Sequence, residues 1–292
     1  MKVRYPRRKP HPVPPIHPVP DYAAGPALTQ VYQDTRSVLQ VPWMGVVTMA
    51  FAHYPNFWGT LWRGLRPLAQ SEEFVAGIKR LRRVTESTVA AIPTRDMVAA
   101  LEAAGYGERE IAEIRALVEV FSHGNMPYLL IATAARLLLE GAALSDTRTV
   151  TRSTARHAPP APEKLILMEP HHADAATVRV YNEIRRALGL PFVNTDYRAL
   201  ARWPSYFRLA WDDLRPMIGS VDHMAAVDVV HGEALTLMAG LPNPGGLTPE
   251  ALQAAAERDA SLEEVLEVVR LFQFLLPELA VNVAIFRAQL GG

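Results

Sequence analysis

The sequence predicts an all-α protein made by tandem duplication, in which a helical unit of about 115 residues occurs twice and the copies pair as an intrachain pseudo-dimer. Three observations predict this. Residues 27–71 match residues 176–220 without a gap at an offset of 149, with 14 of 45 positions identical where ordinary residue frequencies give roughly 3. Apolar residues keep a 3.6 period in both copies, at Ile111, Ile114, Leu117, Val118 and Phe121 and again at Leu262, Val265, Leu266, Val269 and Phe272. No segment shows the sustained alternation of a half-buried strand.

Taken in order, residues 1–26 form a Pro/Arg-rich extension. Pro6, Pro10, Pro12, Pro14, Pro15, Pro18 and Pro20 favour extended polyproline II there, and either surface packing or disorder follows. Residues 27–141 are the first repeat, its helices punctuated by Pro42, Pro55 and Pro67. Residues 142–175, polar and carrying Pro159-Pro160, read as the linker that crosses to the other unit. Residues 176–292 are the second repeat. Its anchors are Tyr181, Pro191, Pro204, Trp211 and Leu214-Arg215-Pro216, matching Tyr32, Pro42, Pro55, Trp62 and Leu65-Arg66-Pro67. After Leu241-Pro242, which matches Ile92-Pro93, two inserted residues shift the register. The match then resumes at Leu252, Phe272, Arg287 and Gly292, the counterparts of Leu101, Phe121, Arg136 and Gly141.

Composition narrows the function. Among 292 residues, 30 basic and 30 acidic side chains cancel, which leaves no electrostatic footprint for nucleic acid or an anionic membrane. There is no cysteine, which excludes disulfides, thiolate nucleophiles, iron–sulfur clusters and cysteine-ligated zinc. Residues 1–20 lack the apolar core of a secretory signal, and the apolar stretch Tyr128–Leu139 is too short to span a bilayer and carries Arg136. A soluble cytoplasmic protein with a small-molecule partner is the expectation, with homodimer formation left open.

Chemistry is expected where the copies differ. A polar residue whose counterpart is apolar needs its own reason, because burying it costs free energy. Asn194-Thr195-Asp196 stands where the first copy has Gly45-Val46-Val47, and Ser122-His123-Gly124-Asn125 stands where the second has Gln273-Phe274-Leu275-Leu276. Each half thus contributes one polar cluster, and a composite site between the halves is the economical reading. The bland alternatives are a helix N-cap for Asp196 and a cap or turn role for Asn125 before Pro127. Trp62/Trp211 and Arg66/Arg215, shared by both copies, read as core anchors and helix-terminal partners.

Other motifs are weak. Gly-x-Ser-x-Gly, a P-loop and His-Glu-x-x-His are absent. His171, His172 and Asp174 lie in the linker and carry little weight as a metal site. His223, Asp228, His231 and Glu233 lack ligand spacing and read as polar surface.

Val41-Pro42-Trp43, Tyr54-Pro55, Gly124-Asn125 ahead of Tyr128-Leu129-Leu130, and Asp196-Tyr197-Arg198-Ala199-Leu200-Ala201-Arg202-Trp203-Pro204 resemble the group I 2-haloacid dehalogenases, the DL-acting, all-helical, internally duplicated enzymes. The resemblance covers about residues 27–292. It implies hydrolysis of a small 2-halocarboxylate without cofactor or metal. Asp196 would be the general base for water attacking C2, with inversion and no covalent intermediate. Asn125 would orient that water or hold the substrate, and Trp43, Val46, Thr195 and Phe274 would fall on substrate-binding positions. The family's tyrosine hydroxyl falls on Phe274, an aromatic wall residue on Val46, and a hydroxyl–glutamate pair near Ser71 and Val75. These departures define the alternative, a non-catalytic or diverged binder of a small carboxylate.

Overall fold

The computed structural model describes residues 5–161 and 165–292; the opening of the Pro-rich extension and linker positions 162–164 lie outside the described residues. The described chain is helical, and its sole pairing of extended backbone is an isolated bridge between Ser71 and Arg152. The first half holds α1 (Pro26–Leu39), α2 (Val46–Phe51), α3 (Pro55–Ala69), α4 (Glu72–Val89), α5 (Val98–Ala103) and α6 (Glu108–Leu139). The second holds α7 (Ala175–Leu188), α8 (Thr195–Leu200), α9 (Pro204–Leu214), α10 (Val221–Gly240), α11 (Pro249–Ala256) and α12 (Leu262–Gln289). The starts of α1 to α4 recur 149 residues later as the starts of α7 to α10.

The matched residues explain the matched helices. Pro55 and Pro204 open α3 and α9 at the first turn, where a missing N–H costs nothing. Ser71 and Ser220 cap α4 and α10, each accepting from the backbone N–H three residues on. Trp62 and Arg66 both bond Asp34, as Trp211 and Arg215 both bond Glu183. The shared tryptophans and arginines therefore lock α1 to α3 and α7 to α9.

Prolines punctuate less than expected. Pro67 lies within the last turn of α3, and Pro127 sits well inside α6. A proline cannot bond the carbonyl four residues back. In a helix buried on every side, packing holds the chain straight enough to continue. From Phe121 to Leu139 every residue of α6 is buried, which marks it as a central core helix. Among the described residues its partner α12 is the one helix long and apolar enough, by length and composition alone, to cross a bilayer, and most of that apolar stretch is interior. The α6–α12 contact is the most extensive between helices, and α4 meets α12 as α10 meets α6. These contacts are reciprocal between the first six helices and the last six.

The N-terminal arm packs against the body. The Val19 N–H donates to the Met49 carbonyl (3.0 Å) and the Tyr32 hydroxyl to the Val19 carbonyl (2.7 Å). Farther along, Arg136 donates to the Pro6 carbonyl (3.1 Å). His231 contacts the Tyr5 carbonyl through Nε2 (2.7 Å), so Nε2 carries the proton and Nδ1 accepts from Gln273 (2.9 Å).

This corrects the surface reading of the α10 histidines. His223 and His231 are both buried, and His223 bonds Asn282 (2.8 Å), which in turn donates to the Tyr197 hydroxyl (3.0 Å). Their partners come from distant parts of the chain, so no local spacing reveals them. In the linker, Asp174 caps α7 by accepting from the Thr177 N–H (2.7 Å). Among the described residues no three His, Asp or Glu side chains converge as metal ligands.

Candidate active site

Two short helices and two long ones meet at one small cavity. The loop into α2 and its first turn supply Trp43, Gly45, Val46 and Val47, and the corresponding segment at α8 supplies Asn194, Thr195 and Asp196. Asn125 and Tyr128 come from α6, and Phe272, Leu275, Leu276 and Leu279 from α12. Matched positions share the cavity: Gly45 with Asn194, Val46 with Thr195, Val47 with Asp196, and Asn125 with Leu276. One side of each pair is polar and the other apolar.

Asp196 is buried, 2% exposed, and its Oδ1 accepts from the Asn125 side-chain amide at 2.8 Å. Burial pushes its carboxyl up to about 6, against the downward pull of the Asn125 hydrogen bond, of its own backbone N–H and of Arg198. Asn194 occupies the N-cap position of α8 without making a cap bond, while Asp196 lies inside the helix. The capping account of Asp196 therefore fails, as does the turn account of Asn125, which sits mid-helix in α6. A carboxylate held mostly ionised above pH 6, beside an amide and few other polar groups, suits proton abstraction.

The aromatic wall depends on two glycines. A Cβ on Gly124 would lie 2.3 Å from the Trp43 ring, and one on Gly45 would lie 3.1 Å from the Tyr128 ring. Trp43 packs edge-on to Phe121, and the Tyr128 hydroxyl donates to the Trp43 carbonyl (2.6 Å). Gly124 precedes Asn125 because the indole must lie flush on α6. The water-accessible volume that remains is about 20 Å³, room for about one water.

Asp196, Asn125, Trp43, Val46 and Thr195 are brought together. Phe274 is not: its ring faces outward under the guanidinium of Arg7, 4.1 Å away. The aromatic of α12 that lines the cavity is Phe272. Two residues turn a helix by about 200°, so a register error of two puts the wrong face inward. Ser71 and Val75 also stand apart from the cavity, Ser71 serving as the α4 cap. Among the lining residues, Tyr128, Phe272, Leu275, Leu276 and Leu279 carry no site role in the sequence reading. The broken symmetry already marked Asn194, whereas the leucines carry no signal beyond their apolarity.

Comparison with known proteins bears on the family and the fold. Residues 42–190, from the loop before α2 to the loop after α7, match the family described as halocarboxylic acid dehydrogenase DehI. The chain is 44% identical to an (R)-2-haloacid dehalogenase of Rhizobium sp. (strain NHG3), over 83% of this chain and 94% of that protein. It is 35% identical to an (R)-2-haloacid dehalogenase of Pseudomonas putida, over 94% and 92%. A solved D-2-haloacid dehalogenase mutant in complex with D-2-CPA superposes with a TM-score of 0.88 at 32% identity, covering 97% of this chain and 98% of that one. The all-helical architecture, the cavity at the meeting of the halves and these relatives together place the chain in the 2-haloacid dehalogenase family.

Proposed function

We propose that this protein hydrolyses the carbon–halogen bond of small 2-haloacids, with Asp196 as general base. A water held against the free edge of the carboxylate attacks C2. Its proton passes to Asp196, and halide departs with the bonding pair, giving a 2-hydroxy acid with inverted configuration. The observation that carries this reading is the buried Asp196–Asn125 pair facing a cavity of one-water size. Asn125 occupies one carboxylate oxygen and thereby turns the other toward the water. Trp43 and Phe272 supply the apolar walls for the halogen and the substrate carbons. Thr195 and Asn194 line the same cavity and would meet the substrate carboxylate.

The (R)-2-haloacid dehalogenases at 44% and 35% identity favour the (R) enantiomer over a DL range. We read the chain as two copies of one unit, a reading supported by the recurring helix starts and the reciprocal packing of α4, α6, α10 and α12.

Halide release from each enantiomer of 2-chloropropionate, compared between the native protein and Asp196→Asn, tests the reaction and the base. Loss of release in the variant is expected. A single turnover in ¹⁸O-water then separates direct attack, which labels the product hydroxyl at once, from an aspartyl ester, which labels the protein. Label in Asp196 would overturn the general-base mechanism. Absence of halide release from folded native protein would favour a carboxylate binder.

A further inference from the structure

The Asp196 cavity has a neighbour. A second small space of about 10 Å³ shares Asn194, Leu275 and Leu279 with it and opens toward Leu188, Phe274 and Glu278. These outer residues are the first partly exposed ones on the way out. The two spaces meet at these shared residues and form a narrow passage toward Asp196.

The N-terminal arm sets two cations against residues at the outer end of that passage. Arg7 donates to the Phe274 carbonyl (2.9 Å), pairs with Glu278 (2.5 Å) and stacks on the Phe274 ring, with its side chain 4% exposed. Lys9 reaches the opposite rim and bonds the Leu188 and Gly189 carbonyls at the end of α7. Gly189 lets it in: a Cβ there would lie 2.2 Å from the lysine nitrogen, whereas the first half carries Gln40 at the same left-handed position. At Arg7 and Lys9 the arm therefore meets the second half, which holds the base, while at Pro6 and Val19 it bonds the first.

Charge makes the position consequential. No lysine or arginine lines the Asp196 cavity, and Glu278 would repel an incoming carboxylate. A buried ion pair is a weak source of stability compared with apolar packing, so its placement calls for another purpose. We propose that Arg7 is a specificity-determining residue that neutralises Glu278 and draws the anionic substrate past Phe274 toward Asp196. The inference rests on the 2-haloacid reading above.

The test measures association without turnover. In the Asp196→Asn background, stopped-flow tryptophan fluorescence follows 2-chloropropionate binding beside Trp43. Arg7→Met lowers the association rate constant about tenfold and flattens its dependence on salt, while Arg7→Lys recovers part of it. Glu278→Gln raises the rate, and adding Arg7→Met to Glu278→Gln produces the same tenfold fall with no carboxylate left unpaired. Circular dichroism melting checks that each variant folds. An unchanged rate overturns the proposal, and a faster rate shows the arm to be only a plug. Failure of the underlying reading looks different: the native protein releases no halide, and no variant binds haloacid.

Discussion

The segments around α2 and α8 are the same backbone put to two uses. Both follow a proline, Pro42 or Pro191, and both run through a short loop into a six-residue helix against the central pair α6 and α12. Around α2 the side chains are Trp43, Gly45, Val46 and Val47, which build a wall. Around α8 the matched positions are Phe192, Asn194, Thr195 and Asp196, which carry the polar groups. The long helices differ in the same sense, with Asn125 in α6 against Leu276 in α12. The matched segments supply two corresponding positions facing one space. One can become polar while the other stays apolar to exclude water and raise the carboxyl. The difference teaches that the asymmetry of the cavity is a matter of side chains, and that neither half lines it alone.

Removing the polar member of the central pair breaks this comparison most severely. Asp196→Asn is expected to lower halide release by about 10³-fold, within the range for loss of a general base. In the native protein kcat should rise with pH through about 6 as the carboxyl ionises. Stability moves the other way. The folded carboxyl titrates above its unfolded value of about 3.9, so the stabilising effect of the protonated form is complete below pH 4 and lost as pH rises through 6. Asp196→Asn should therefore melt higher than the native protein at pH 8, by the equivalent of up to about 3 kcal/mol. The two melting temperatures should converge near pH 4, and a constant difference across the range would show that Asp196 is not perturbed.

Making α6 resemble α12 comes next. Asn125→Leu removes the hydrogen bond that pulls the Asp196 carboxyl down, so the acid limb of the pH–rate profile shifts above 6. It also leaves a buried carboxylate without its amide, costing about 1–3 kcal/mol at pH 8. Denaturant melts at pH 5 and pH 8 check this, because the penalty shrinks when the acid is protonated.

Gly124→Ala tests the wall without touching polar groups. Its Cβ must displace the Trp43 ring, at a cost of about 1–3 kcal/mol. KM should rise while the pH profile stays put. The smallest effect is expected from Val46→Thr, which copies Thr195 into the apolar half. Val46 is only partly buried, so stability should stay within about 0.5 kcal/mol and kcat should hardly change. A large loss of activity there would mean that the wall does more than exclude water.

Much of this was legible in the chain. Gly45-Val46-Val47 against Asn194-Thr195-Asp196 pointed to the site, because a polar residue replacing a buried apolar one needs a partner. Asn125 proved to be that partner, although 71 residues separate it from Asp196. The reading failed where a small error of register changes the face of a helix, as with Phe274 and Phe272. It failed again where burial is created by distant segments, as with His223 and His231.

The sequence by itself determined the all-helical class, the matched anchors of the two halves and the residues that break their symmetry. These follow from local periodicity, turn and cap chemistry and direct comparison of one half with the other. Only the tertiary structure decided that Asp196 and Asn125 touch, that Phe272 and not Phe274 lines their cavity, and that Arg7 folds back onto Phe274 and Glu278. Each is a contact between segments far apart in the chain, and such contacts leave no mark in local pattern. They are set by which faces of α6 and α12 turn toward each other once the whole core is packed.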